Sequence, residues 1–265
     1  MIDFQDLDEK TLAKVIDFSI LPKQTTEAEI REGCAVTRQY GFAAFYASSA
    51  YWAPVVREEL AGMEDVEIGT GIAFPFGSVP AAVKAFEVED AVRRGCTAVD
   101  MVMNIGALKS GDHQVVAEEL RLFKQAAAGA VTKCILEVCF LADEEIATAS
   151  KLVAEAGIDF VKTSSGQFEG PSLEQFLVMR EAVRDAPVRL KVAGVKFPRP
   201  QNALVFLRAG ADRIGTRAGP EIVDSLEMLR KIGLVPEAVV AGRSAVAGLP
   251  TERGVVAGLP TEPPA

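Results

Sequence analysis

Eight short apolar runs, each but the last followed by a connecting stretch before the next, limit what this chain can become. They lie at 15–20, 43–47, 66–74, 98–103, 131–138, 160–163, 188–193 and 213–215. Helical periodicity occupies 27–39, 81–94, 115–128, 144–156, 173–183, 201–209 and 220–232. Thr26 and Ser172 stand where helix N-caps belong, and Gly157 and Gly210 stand where helices stop. Strand–helix units in this number predict an α/β fold, a parallel sheet closed into a (β/α)8 or TIM barrel. An open doubly wound sheet is the other arrangement. To bind a nucleotide it would need a glycine-rich first turn, and the first turn here reads Ser19-Ile20-Leu21-Pro22-Lys23.

The length of 265 residues suits one such barrel, expected over 1–232. From 233 the composition changes to glycine, proline and alanine. Residues 245–254 and 255–264 form a ten-residue repeat, too short for a solenoid, so 233–265 is expected to be a flexible C-terminal tail. The net charge of −9 argues against nucleic-acid or anionic-membrane binding but leaves room for a local basic pocket. No apolar run reaches the roughly 18 residues of a membrane helix, and no signal peptide is expected, which points to the cytoplasm. Cys34, Cys96, Cys134 and Cys139 are scattered among apolar segments and read as buried free thiols. The only histidine, His113, follows a candidate N-cap, Asp112, and is expected to face solvent. Histidine-based triads and multi-histidine metal sites are thereby excluded.

The informative residues are charges inside apolar strands. Residues two apart share a strand face. Asp100 then lies with Ala98 and Val102, Lys133 with Ile135 and Glu137, and Lys162 with Phe160; Lys191 shares a less certain register with Arg189. Lone buried charges are costly, so these compensate one another or carry function. Two neighbouring lysines disfavour each other's ammonium form, and a neutral amine attacks carbonyls. A nearby carboxylate can move protons. A purely supporting ion-pair network is the competing reading. Among the loops, the stretch from Gly215 to Gly219 opens the last helix. It is either an anion site, as loops after the seventh and eighth strands often are, or a plain helix start.

Several stretches, in order from about Val15 to Gly219, resemble the deoxyribose-phosphate aldolase family: Ile16-Asp17-Phe18-Ser19, the run from Val99 to Gly111, Ile135-Leu136-Glu137, and above all Asp159-Phe160-Val161-Lys162-Thr163-Ser164-Ser165-Gly166. The resemblance implies a class I aldolase, needing no metal or cofactor, that cleaves 2-deoxy-D-ribose 5-phosphate reversibly into acetaldehyde and D-glyceraldehyde 3-phosphate. It implies Lys162 as the Schiff-base lysine, Lys191 as the second lysine and Asp100 as the catalytic aspartate. The implied partner is a small aldehyde or sugar phosphate, with a homo-oligomer possible. The phosphate end departs from the family pattern. A Gly-Gly pair is replaced by Ala193-Gly194, Lys196 stands near the usual arginine, and Arg217-Ala218 replaces small hydroxyl residues. Gly194, Lys196, Gly215, Arg217 and Gly219 are therefore expected to hold the substrate's anionic end. Arg217 pointing to solvent, or pairing with Glu221, is the alternative. An aldolase of the same mechanism for another aldehyde, and a non-catalytic barrel, are the rival functions.

Overall fold

The computed structural model describes residues 2–236. Its strands are β1 (Ile16–Ile20), β2 (Ala44–Ala47), β3 (Glu67–Ile72), β4 (Ala98–Val102), β5 (Val131–Ile135), β6 (Phe160–Lys162), β7 (Arg189–Ala193) and β8 (Arg213–Thr216). All neighbours are parallel, and β8 returns to β1 with Ile16 opposite Ile214, so the sheet is a closed barrel in chain order. The open doubly wound alternative is set aside.

The helices are α1 (Glu9–Ala13), α2 (Glu27–Tyr40), α3 (Ala53–Glu59), α4 (Ala81–Arg94), α5 (Ile105–Lys109), α6 (His113–Ala126), α7 (Asp143–Glu155), α8 (Leu173–Ala182), α9 (Arg199–Arg208), α10 (Gly219–Asp224) and α11 (Leu226–Lys231). The predicted caps act as such. Thr26 and Ser172 each form a reciprocal capping box, with Glu29 and Gln175, at the starts of α2 and α8. Gly157 and Gly210 follow α7 and α9 at φ of 68° and 106°, values that suit a residue without a Cβ. The helix α3 carries no strong sequence signal: it is seven residues long, and no side chain caps its start. The periodic segment 220–232 is divided at Ser225 into α10 and α11. His113 is exposed, as expected, but opens α6 itself, and Asp112 caps that helix without a side-chain bond.

The strands alternate in an unusual sense. Ile16, Phe18, Phe45, Val99, Met101, Cys134, Val161, Leu190, Val192 and Ile214 pack into the apolar layer beneath the helices. The residues between them face the barrel axis, where apolar branched side chains usually fill the space. Here that axis holds Asp17, Tyr46, Asp100, Lys133, Lys162 and Lys191, all buried. The four cysteines are free; Cys34, Cys96 and Cys134 are buried and Cys139 partly so. Among the described residues no helix is long and apolar enough to cross a membrane. The packed chain runs a few residues beyond the expected boundary at 232. The Leu234 carbonyl accepts from Arg208, and Val235 is buried in the apolar core. The ten-residue repeat lies outside the described residues.

Candidate active site

The register brings the charges together. Asp100 pairs across the sheet with Lys133, Lys162 with Lys191, and Lys191 with Arg213. Lys162 Nζ and Lys191 Nζ both donate to one oxygen, Asp100 Oδ2, each at 2.8 Å. Tyr46 donates its hydroxyl to the other oxygen, Asp100 Oδ1, at 2.7 Å. Lys191 also contacts Asp17 Oδ2 at 2.7 Å and lies 4.1 Å from the centre of the Tyr46 ring. Deeper in the barrel, Lys133 uses three donors, on Asp17 (2.9 Å), the Tyr46 hydroxyl (2.8 Å) and Glu67 (2.7 Å). Arg213 closes the network on Asp17 at 2.7 Å and Glu67 at 3.1 Å.

Four cations, Lys133, Lys162, Lys191 and Arg213, thus face three carboxylates, Asp17, Glu67 and Asp100. The surplus proton is most easily lost from Lys162, whose one charged partner is Asp100. Burial pushes the Lys162 amine down to about 8; Asp100 opposes that and Lys191 reinforces it. Lys191 is equally buried, but Asp100 and Asp17 together outweigh the burial and hold its proton more tightly than usual. Burial would protonate Asp100, yet Lys162, Lys191 and Lys133 keep it well below the usual carboxylate range. One lysine close to neutrality beside one firmly charged lysine and a firmly ionised carboxylate is an arrangement suited to imine chemistry with proton relay.

Small residues make room for these side chains. A Cβ at Gly69 would clash with the Tyr46 ring at 2.3 Å, and one at Gly215 would stand 3.0 Å from Lys191 Cε. A Cβ at Gly71 would stand 2.8 Å from Phe74 Cβ. Behind β4, a buried Lys84–Glu119 pair fixes the exit of the strand carrying Asp100. Lys84 donates to the Val102 carbonyl at 2.7 Å, and Glu119 accepts from the Asn104 N–H at 2.9 Å.

Above the lysines a cavity of about 620 Å³ opens at the C-terminal ends of the strands, the end where barrels of this kind carry their sites. Asp17, Tyr46, Asp100, Lys162 and Lys191 form part of its floor and walls.

A family model described as "DeoC/LacD family aldolase" matches residues 4–224. The chain belongs to the DeoC/LacD aldolase family. Curated relatives include deoxyribose-phosphate aldolase 1 of Mesoplasma florum, 39% identical over 217 residues, which span 82% of this chain and 97% of the relative. The deoxyribose-phosphate aldolase of Bacillus cereus strain AH820 is 40% identical over 214 residues, 80% of this chain and 94% of the relative. Among solved structures, QR15, an aldolase, superposes with a TM-score of 0.76 at 31% identity, covering 83% of this chain and 98% of its own. A tetrameric deoxyribose phosphate aldolase from Aeropyrum pernix gives 0.75 at 26% identity, covering 84% and 93%. The protein is an aldolase, a carbon–carbon lyase.

In this aldolase the five residues expected at the anionic end do not form one group. Gly194, Lys196, Gly215 and Arg217 line the cavity mouth. Gly219 does not line it; it is buried behind the mouth, where an added Cβ would stand 2.7 Å from the Phe42 ring and 3.2 Å from that of Phe18. Its missing side chain serves packing of α10 on the barrel. Lys196 is exposed and paired with Glu169 at 2.8 Å. Arg217 is exposed, and its charge reaches Glu29 on α2. Glu221 stands 3.9 Å from Arg199, a mouth residue that the sequence reading did not single out. Gly194, at φ of 77°, abuts the loop after β6: a Cβ at Gly170 would collide with the Gly194 carbonyl. The sequence reading also left Asp17, Tyr46, Glu67 and Arg213 without a role. Asp17 alone gave a signal, a carboxylate between the buried Ile16 and Phe18.

Glu137 departs from the expected alternation. The strand β5 ends at Ile135, and Glu137, two residues on with φ of 53°, lies outside the regular strand on which that alternation depends. The carboxylate accepts from the Ser165 N–H at 3.0 Å. A left-handed conformation at a residue with a side chain costs about 1–3 kcal/mol.

Proposed function

We propose that this aldolase cleaves 2-deoxy-D-ribose 5-phosphate reversibly into acetaldehyde and D-glyceraldehyde 3-phosphate, with Lys162 as the Schiff-base residue. The observation that carries this reading is the convergence of Lys162 and Lys191 on one oxygen of Asp100, with the Lys162 amine brought down to about 8. The names of the Mesoplasma florum and Bacillus cereus relatives support the choice of sugar.

The neutral Lys162 amine adds to the C1 aldehyde of the open-chain sugar and expels water, giving an iminium. Asp100, through a water held beside the charged Lys191, takes the proton of the C3 hydroxyl. The C2–C3 bond breaks, its electron pair moves into the iminium to give an enamine, and the C3 fragment leaves as the phosphorylated aldehyde. Protonation of the enamine at C2 and hydrolysis release acetaldehyde and return the amine. Lys191, kept charged, holds Lys162 partly neutral and supplies a mobile proton; Asp100 stabilises each cationic nitrogen in turn. Arg217, Lys196 and Arg199 meet the phosphate at the mouth, with Gly194 and Gly215 leaving room for it. Arg217 offers a planar fork suited to that group. The neighbouring Glu169 and Glu221 compete for two of these cations, which favours a second reading, an acceptor aldehyde without phosphate. Self-association is part of the proposal, by likeness to the tetrameric Aeropyrum pernix relative; light scattering on the eluted protein checks it.

Borohydride added with acetaldehyde should leave an ethyl group on the peptide that contains Lys162, read by mass spectrometry. An adduct found on other lysines alone overturns the assignment. Release of acetaldehyde from deoxyribose 5-phosphate and from deoxyribose, compared at equal concentration, separates the two readings of the acceptor. Chelators should leave the rate unchanged.

A further inference from the structure

We infer that Glu137 is a positioning residue whose carboxylate extends the sheet beyond the end of β6 and so aims Lys162; this rests on Lys162 being the reactive amine. The strand β6 ends at Lys162 itself, so the chain that follows must find partners outside the regular ladder. On the β5 side it finds three. The Leu136 N–H donates to the Lys162 carbonyl at 2.9 Å, the Val138 N–H to the Thr163 carbonyl at 3.0 Å, and the Ser165 N–H to Glu137 Oε1 at 3.0 Å. The last of these is a side chain in place of a backbone acceptor. On the β7 side the Thr163 hydroxyl plays the matching part and accepts from the Ala193 N–H at 3.1 Å. Lys162 is therefore held between two side-chain clamps.

The clamp on the β5 side is kept at a cost in stability. Glu137 is buried, its backbone is left-handed, and its second oxygen, Oε2, is buried without a hydrogen-bond donor among the described residues. A buried carboxylate satisfied on one side only is destabilising. Strain of this kind persists where the surrounding geometry serves function. The segment that Glu137 holds matters twice over: Ser165 and Gly166 line the cavity, and Gly166 lies against Gly194 at the mouth.

The test uses the full-length protein with Glu137→Gly and Glu137→Gln. Glycine removes both the carboxylate and the backbone strain; glutamine keeps an oxygen that can accept from Ser165. The imine-formation rate with acetaldehyde is measured by quenched borohydride trapping, normalised to the total Lys162 that can be trapped, beside the thermal midpoint and the KM for the sugar. Glu137→Gly should hold or raise the thermal midpoint and leave KM within about threefold. It should slow imine formation by up to about 10²-fold, the scale of a small misplacement of a reacting group. Glu137→Gln should recover most of that rate. An imine rate per trapped site equal to the parent's in Glu137→Gly, or a glutamine variant as slow as the glycine one, overturns the proposal. Trapping of the parent on a lysine other than Lys162 is read before any variant and overturns the function on which the proposal rests.

Discussion

The barrel axis and the cavity mouth both carry clustered charge, yet they are built in opposite ways. On the axis every charged group is fixed by at least one other: Asp100 by two lysines and a tyrosine, Asp17 by two lysines and an arginine. At the mouth Lys196 and Arg217 are exposed and Arg199 partly so, and their carboxylate neighbours Glu169, Glu29 and Glu221 lie at the surface as well. Charges removed from water interact strongly and shift one another's proton affinity; exposed ones are screened. The axis can therefore tune chemistry, whereas the mouth can tune recognition but has little hold over the lysines.

The largest break in that contrast comes from the axis. Asp100→Asn should still permit the imine, since it removes the charge that favours the Lys162 ammonium, but it should lower turnover by about 10²-fold or more. Lys191→Leu should slow imine formation itself at neutral pH, because loss of a neighbouring cation lets Lys162 keep its proton. Steady-state rates and borohydride trapping on the same samples separate the two effects, and near-normal turnover in both variants would leave only a supporting ion-pair network.

The pH dependence sharpens the same point. Burial lowers the Lys162 amine to about 8, so the nucleophilic neutral form is lost as pH falls below that value and is complete above it. Imine formation should fall about tenfold per pH unit on the acid side and level off above about pH 8. Lys191→Leu should move the bend to higher pH; an unmoved bend would show that the two lysines do not communicate.

Effects at the mouth should be smaller and confined to binding. Arg217→Ser should raise KM for deoxyribose 5-phosphate by about tenfold, the worth of one charge-assisted contact, with no change for deoxyribose or for acetaldehyde trapping. An unchanged preference for the phosphorylated sugar would remove Arg217 from recognition. The smallest effect is expected for Lys196→Gln, within about threefold in KM, since an exposed pair such as Lys196 with Glu169 contributes little. A larger loss would mean that Lys196 leaves Glu169 to meet the substrate.

The same division explains what could be read from the residues alone. The eight strands were legible because β4, β5 and β7 are apolar runs bounded by turns, and their charges stood out against that background. Strand-face parity marks Asp100 and Lys162 as charges on one face of their strands and leaves the Lys191 register open; the resemblance to the aldolase family is what groups the three. Parity failed at Glu137, whose left-handed backbone no pattern of neighbours announces. Tyr46, Glu67 and Arg213 escaped notice because each looks like an ordinary strand or strand-edge residue until the barrel closes and sets β2, β3 and β8 around one axis. Gly219 misled for a related reason: a glycine at a helix start reads as an anion site, and only the packed rings of Phe18 and Phe42 show what its small size serves.

The glycines inside the barrel carry a consequence for how this catalyst could diverge. A methyl group at Gly215 would press on the stem of Lys191, whereas one at Gly71 would press on Phe74, which lines the cavity but belongs to no ion pair. Resizing the cleft from β8 would therefore alter lysine basicity at the same stroke. Resizing it at Gly71 of β3 would press first on Phe74 instead, so new aldehyde partners are more freely explored at that position than at Gly215.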